Sequence, residues 1–182
     1  MVYDHDTFTG RLQQWFDGME TFTLPSWDQL PQLELYMDQV ILLLRQYLSP
    51  LHHGEDDKAI TTSIINNYVR MKIIPPPVKK KYSKVHIASL IMICILKQSL
   101  SISSIQRMLP VEMTEETLQP FYRDFVEQYH TVQNSFIQQT RKTEQPLLSR
   151  DTEKLLTSCA VISTLSTQLT EFLLHEESGK NK

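Results

Sequence analysis

Glycine is scarce in this sequence. The 182 residues contain four glycines, about 2% where ~7% is usual, and none lies between Glu55 and Ser178. A loop that cradles phosphates needs glycines so that its backbone can approach them. The P-loop and the dinucleotide fingerprint are therefore excluded, and glycine-supported hairpins should be rare. Cysteine is nearly as scarce. Cys94 and Cys159 each sit inside an apolar helical pattern and read as small core filler. A disulfide framework is excluded, which fits a reducing cytoplasm. The N-terminus shows no basic region followed by an apolar stretch, hence no secretory signal. The longest strongly apolar run, Ile87 to Leu96, is far short of the ~20 residues that span a bilayer. The expectation is a soluble cytoplasmic chain with no membrane partner.

Catalytic and metal signatures are missing as well. His5, His52, His53, His86, His130 and His175 show no ligand spacing. His52 and His53, beside Glu55 and Asp56, are adjacent on a loop and lack the i, i+4 arrangement of a helical zinc site. No serine stands in a nucleophile elbow. Glu127 and His130 share a helical face but read as a surface pair. Neither an enzyme, a metal nor a cofactor is expected, and the sequence names no small-molecule effector.

What is absent from residues 58 to 111 is acidic charge. Nine basic residues fall there (Lys58, Arg70, Lys72, Lys79, Lys80, Lys81, Lys84, Lys97 and Arg107) with no Asp or Glu, while the chain as a whole has a net charge of −3. So uneven a distribution points to a polyanionic partner. The plainer reading is a solvated basic face.

Hydrophobic periodicity predicts an all-α chain in three blocks. In residues 1–57, Phe8, Leu12, Trp15, Phe16 and Met19 mark a short amphipathic helix. Pro25 and Pro31 bracket a connector. Leu33, Tyr36, Met37, Val40, Ile41, Leu44, Tyr47 and Leu48 then predict a helix over about 33–48, stopping near Ser49-Pro50. In residues 58–110, Thr61 or Thr62 can cap a helix that buries Ile64, Ile65, Tyr68 and Val69 and turns Ser63, Asn66, Asn67 and Arg70 the other way. It should end near Lys72. Pro75, Pro76 and Pro77 impose an extended path towards Lys79, Lys80, Lys81 and Tyr82. Ser83 caps a helix apolar nearly all round, which should be central. Ser101 caps a short helix that Pro110 stops. In residues 111–182, Leu118, Tyr122, Phe125, Tyr129, Val132 and Phe136 form a coiled-coil-like seam, with Pro120 expected in a first turn or at a kink. Pro146 and Ser149 precede a second helix with Leu155, Cys159, Ile162, Leu165, Leu169, Phe172 and Leu173 along it. A C-terminal helical hairpin is expected. Its apolar stripes can pack on each other within the chain or pair with a second copy in a homodimer.

The middle block resembles the MerR-like winged helix-turn-helix of bacterial transcription regulators. The resemblance rests on Ile65-Asn66-Asn67-Tyr68, Ile73-Ile74-Pro75-Pro76, Lys80-Lys81-Tyr82-Ser83 and Leu100-Ser101-Ile102-Ser103-Ser104-Ile105. It covers about 50 residues. Asn66 stands where that class usually has arginine, and Lys80 takes the arginine position of a shorter wing. The first helix of the motif would be the one over 33–48. The stretch Ile60 to Leu109 is also similar to the bacterial domain-of-unknown-function family 1836, whose name supplies no activity.

The MerR resemblance implies sequence-specific binding of double-stranded DNA. A recognition helix offers polar side chains to base edges in the major groove. Ser63, Asn66, Asn67 and Arg70 would supply that face, the asparagines pairing with adenine. Arg70 can reach guanine or a phosphate, Lys72 belongs to the same DNA-binding set, and Lys79, Lys80 and Lys81 suit phosphates, which position the protein without reading sequence. Tyr68 and Tyr82 would brace the helix and wing or touch the backbone; as plain core aromatics they would have no such role. The competing reading is an all-helical adaptor that binds only protein and makes the basic block incidental.

Overall fold

The structure is a computed structural model that describes residues 5–51, 60–141 and 152–180. The expectations placed on His52, His53, Glu55, Asp56, Lys58, Pro146 and Ser149 lie outside the described residues. The described residues form seven α-helices and two very short strands: α1 (His5–Thr21), β1 (Leu35–Tyr36), α2 (Met37–Leu48), α3 (Thr62–Arg70), β2 (Lys81–Tyr82), α4 (Lys84–Leu96), α5 (Ile102–Met108), α6 (Glu115–Arg141) and α7 (Thr152–Lys180). The fold is largely all-α. Among the described residues no helix is long and apolar enough to cross a membrane.

The chain divides into two compact units, one of residues 24–128 and one of residues 1–23 with 129–182. The first is built round α4. Eight consecutive residues from His86 to Ile93 are buried, as the near-absence of polar groups in Ile87 to Leu96 requires, since an uncharged helix lowers its free energy by leaving water on every side. Val40, Leu44 and Leu48 of α2 are also buried, and α2 packs on α4. The connector through Trp27 closes the unit. The Tyr122 hydroxyl donates to the Pro25 carbonyl at 2.8 Å, and the Trp27 and Tyr122 rings meet edge-on at 6.0 Å.

The helix expected over 33–48 begins only at Met37. Leu35 and Tyr36 instead form β1, which pairs antiparallel with β2, Leu35 opposite Tyr82 and Tyr36 opposite Lys81. Leu33 is 80% exposed. A 3–4 spacing of apolar residues is satisfied equally well by a shorter helix with a strand before it, and the pairing partner lies far along the chain, beyond any local signal. Tyr36 becomes the residue before the helix, its N–H donating to the Gln39 side chain at 2.9 Å.

In the second unit α1 carries Phe16, which is buried, and Phe22 just after it is buried as well. Gln133 of α6 donates to the carbonyls of Met19 and Phe22, and Phe22 meets Tyr129 edge-on at 6.1 Å. Arg141 reaches Asp17 at 3.0 Å and lies 5.2 Å from the Phe16 ring centre. Pro120 is the sixth residue of α6, past the first turn, where it cannot donate to the Glu116 carbonyl.

Candidate nucleic-acid interface

Helix α3 is short and strongly two-faced. Thr61 caps it by accepting the Ile64 N–H at 3.3 Å, which satisfies one of the orphan donors of the first turn. Ile65 and Tyr68 are buried; Ser63, Asn66 and Arg70 are exposed, and Asn67 is half-buried. Ser63, Ile64, Asn66, Asn67 and Arg70 together line a shallow depression on the outer side of the helix. Ser63 and Asn66 make no side-chain hydrogen bond among the described residues. Asn67 is occupied: its Oδ1 accepts Arg70 Nη2 at 2.7 Å. It therefore holds the guanidinium in place and does not stand as an equal of Asn66.

The helix ends in a left-handed residue. The Lys72 N–H donates to the Val69 carbonyl at 3.0 Å and the Ile73 N–H to the Tyr68 carbonyl at 2.9 Å, which is the Schellman closure. The residue in the left-handed position is Lys72, with φ 57°, where glycine is the usual occupant. Ile73 and Ile74 then turn inward and are buried, and the prolines carry the chain away without regular structure.

Val78 to Lys81 form a tight turn closed by Lys81 N–H to Val78 O at 2.9 Å, with the two residues in an isolated bridge. The central residues Lys79 and Lys80 have φ of 50° and 64°. Two successive positive φ values make this a type I′ turn, whose preferred pair is Asn-Gly. A Cβ-bearing residue other than Asn or Asp costs about 1 kcal/mol or more at each such position. Both lysine side chains are exposed. Lys81 is half-buried on β2, its ammonium 5.6 Å from the Tyr36 ring centre.

Tyr68 and Tyr82 are both buried, 7% and 3% exposed, and burial pushes both phenols above their ordinary range. From those positions they can hold α3 and β2 against the core. Tyr82 meets His86 edge-on at 5.3 Å. His86 is a polar residue that composition and spacing did not single out. Its Nδ1 accepts the Ser83 N–H at 3.0 Å, and its Nε2 lies 3.2 Å from the Pro75 carbonyl. A backbone N–H can only donate and a carbonyl can only accept, so the proton resides on Nε2. Burial lowers the pKa of this imidazole, opposed by the carbonyls of Pro75 and Pro76 and, more weakly, by Glu34. The neutral ring thus ties the proline segment to the start of α4. A capping box normally has Glu or Gln at this third helical position, so a histidine there carries no such signal in the sequence.

Of the ten residues singled out from sequence, three groups are now distinct. Ser63, Asn66 and Arg70 form an exposed polar face on α3, which Asn67 braces. Lys72, Lys79 and Lys80 occupy left-handed backbone positions. Tyr68 and Tyr82 are interior, with Lys81 beside them at the strand. Lys84, not singled out, lies 5.0 Å from the Trp27 ring centre. No group of three or more His, Cys, Asp or Glu that could hold a metal occurs among the described residues.

The family model described as "Domain of unknown function (DUF1836)" matches residues 25–131, almost the span of the compact unit built round α4. No curated protein matches the chain, and no solved structure does.

Proposed function

We propose that this chain, which belongs to the domain-of-unknown-function family 1836, is a sequence-specific DNA-binding regulator of transcription. In this reading its 24–128 unit works as a MerR-like winged helix-turn-helix. Helix α2 is the first helix of the motif, α3 the recognition helix, and the Lys79-Lys80 turn the tip of the wing. Ser63, Asn66 and Arg70 meet base edges. Lys72, Lys79 and Lys80 meet phosphates, which fix register without reading sequence.

The observation that carries the reading is the type I′ turn. Asn-Gly would fold there with less strain, yet two lysines stand in it. Unfavourable backbone retained at an exposed tip points to a use for the side chains, and a paired ammonium at a turn tip suits a phosphate backbone. The acid-free stretch from 58 to 111 supports the same partner.

Selection of bound sequences from a random DNA pool with the purified chain tests this. A single enriched motif is expected. Binding should weaken with salt, and the variant Lys79→Asn with Lys80→Gly should flatten the log–log salt slope by about 0.9 for each phosphate that the two lysines neutralise. Absence of DNA binding at low salt would overturn the reading in favour of a protein-binding adaptor.

A further inference from the structure

Beside the C-terminal end of α3, the 24–128 unit contains a hollow of about 580 Å³. Small-molecule sites occupy roughly 300–1,000 Å³. Ile73, Ile74 and Leu109, all buried, form its floor, and Pro75 and Met113 also line it. These walls are held in place. The Ile73 N–H donates to the Tyr68 carbonyl at 2.9 Å, the Pro75 carbonyl faces His86 Nε2 at 3.2 Å, and the Met113 sulfur lies 3.6 Å from Ser89 Oγ. Among the described residues the polar side chains of the lining are Arg70, Lys72 and Gln106, and no acidic residue joins them. Water filling such a space finds few polar partners.

We propose that this hollow binds a small amphipathic carboxylate, its apolar body against Ile73, Ile74 and Leu109 and its charged end paired with Arg70 and Lys72. The lining selects that chemistry. A bare inorganic anion would leave the apolar floor in contact with water. An uncharged apolar molecule would leave both cations unmatched, and a cation would meet only like charge. Both cations are available: neither forms an ion pair among the described residues, and both are exposed. Arg70 commits one N–H to Asn67 Oδ1 at 2.7 Å. That bond steadies its planar fork, the geometry that matches a carboxylate.

In the DNA-binding reading Arg70 and Lys72 also face DNA. A carboxylate held on them neutralises two cations of that face, so ligand and DNA should exclude each other. This consequence rests on the DNA-binding reading; the site itself does not.

Calorimetric titration of the full chain with decanoate, below the concentration at which decanoate forms micelles and without DNA, tests the site. One decanoate per chain is expected. Decanol has the same apolar body without the charge and should bind at least about tenfold more weakly, the difference a charge-assisted hydrogen bond makes. Arg70→Gln with Lys72→Gln should weaken decanoate by a similar factor and leave decanol unchanged. Gln106→Trp fills the hollow from an exposed position and should abolish binding of both at unchanged helical content. It thereby separates the hollow from the uncovered apolar residues of α7. No decanoate binding, decanol bound as tightly as decanoate, or binding that survives Gln106→Trp would each overturn the inference. A chain that binds decanoate but no DNA would overturn the DNA-binding reading alone. Where DNA binds, decanoate should release it from the wild type and not from Gln106→Trp, and DNA retained by the wild type would overturn the mutual exclusion.

Discussion

Helices α4 and α7 each contain an uncharged stretch rich in apolar residues, Val85 to Leu96 in the one and Leu155 to Thr170 in the other. Their surroundings could hardly differ more. In α4 the residues from His86 to Ile93 are buried without a break, and even its polar groups are matched: Ser89 donates to the Val85 carbonyl at 2.9 Å and His86 bonds on both ring nitrogens. Along α7 only Leu155 is buried among the described side chains, and the large residues beyond it face solvent. Apolar character states what a helix needs. It does not state whether the same chain supplies it. Helix α4 is apolar around its whole circumference because neighbours within one chain enclose it. Helix α7 leaves Val161, Leu165, Leu169, Phe172 and Leu173 about half uncovered towards one side and Leu156, 56% exposed, on the opposite one.

If α4 is the centre of its unit, Leu90→Ala should give the largest loss. Leu90 is fully buried, and truncation removes transfer free energy and leaves a cavity, so about 2–5 kcal/mol of unfolding free energy should go. Urea unfolding followed by circular dichroism measures it, and a loss under about 1 kcal/mol, well below that range, would break the contrast between the two helices.

The next effect comes from His86 at the start of α4. Its folded-state pKa lies below the ordinary value of about 6.5. Between the two values the unfolded chain binds more protons than the folded one, so stability is present above pH 6.5 and is lost as pH falls through the folded-state pKa. One proton allows a slope of at most ~1.4 kcal/mol per pH unit. Denaturation midpoints at about pH 7.5 and 5.5, on either side of the ordinary value, would show the loss. His86→Gln keeps an acceptor for the Ser83 N–H and cannot titrate, so this part of the pH dependence should vanish.

A smaller change, of opposite sign, is expected at the turn leading into β2 and α4. Lys79→Asn with Lys80→Gly should stabilise the fold by about 1–2 kcal/mol, since it places the preferred pair in a type I′ turn. If DNA affinity falls while stability rises, the lysines are retained for binding. A destabilised variant would mean that the strain argument fails.

The smallest effect sharpens the comparison from the other side. Leu165→Ser on α7 should change the unfolding free energy of the dilute monomer by less than about 0.5 kcal/mol, the usual range for an exposed position. A multi-kcal/mol loss at dilution would show that α7 is covered by its own chain after all.

Asn66 and Asn67 show how far the candidate site could be read from sequence. Periodicity places both away from the apolar face of α3, and composition cannot separate them. Only the positioned side chains show that Asn67 holds Arg70 at 2.7 Å while Asn66 stays exposed. The tyrosines make the same point. Periodicity already sets Tyr68 on the apolar face of α3, whereas nothing local fixes Tyr82 after its lysine run, and only the packed fold shows both rings inside.

Local chemistry was enough to specify several helix limits: Thr61 and Ser101 as caps, Ser83 before α4, and Pro110 after α5. These depend on near neighbours along the chain, which the sequence displays directly. The pairing of Leu35 and Tyr36 with Lys81 and Tyr82, the tie from His86 to Pro75, and the left-handed lysines at 72, 79 and 80 required the tertiary structure. Each joins segments distant in the chain or fixes a backbone state that lysine does not itself prefer. Burial belongs with these, since periodicity marks a stripe on a helix and only the packed chain decides whether anything lies against it.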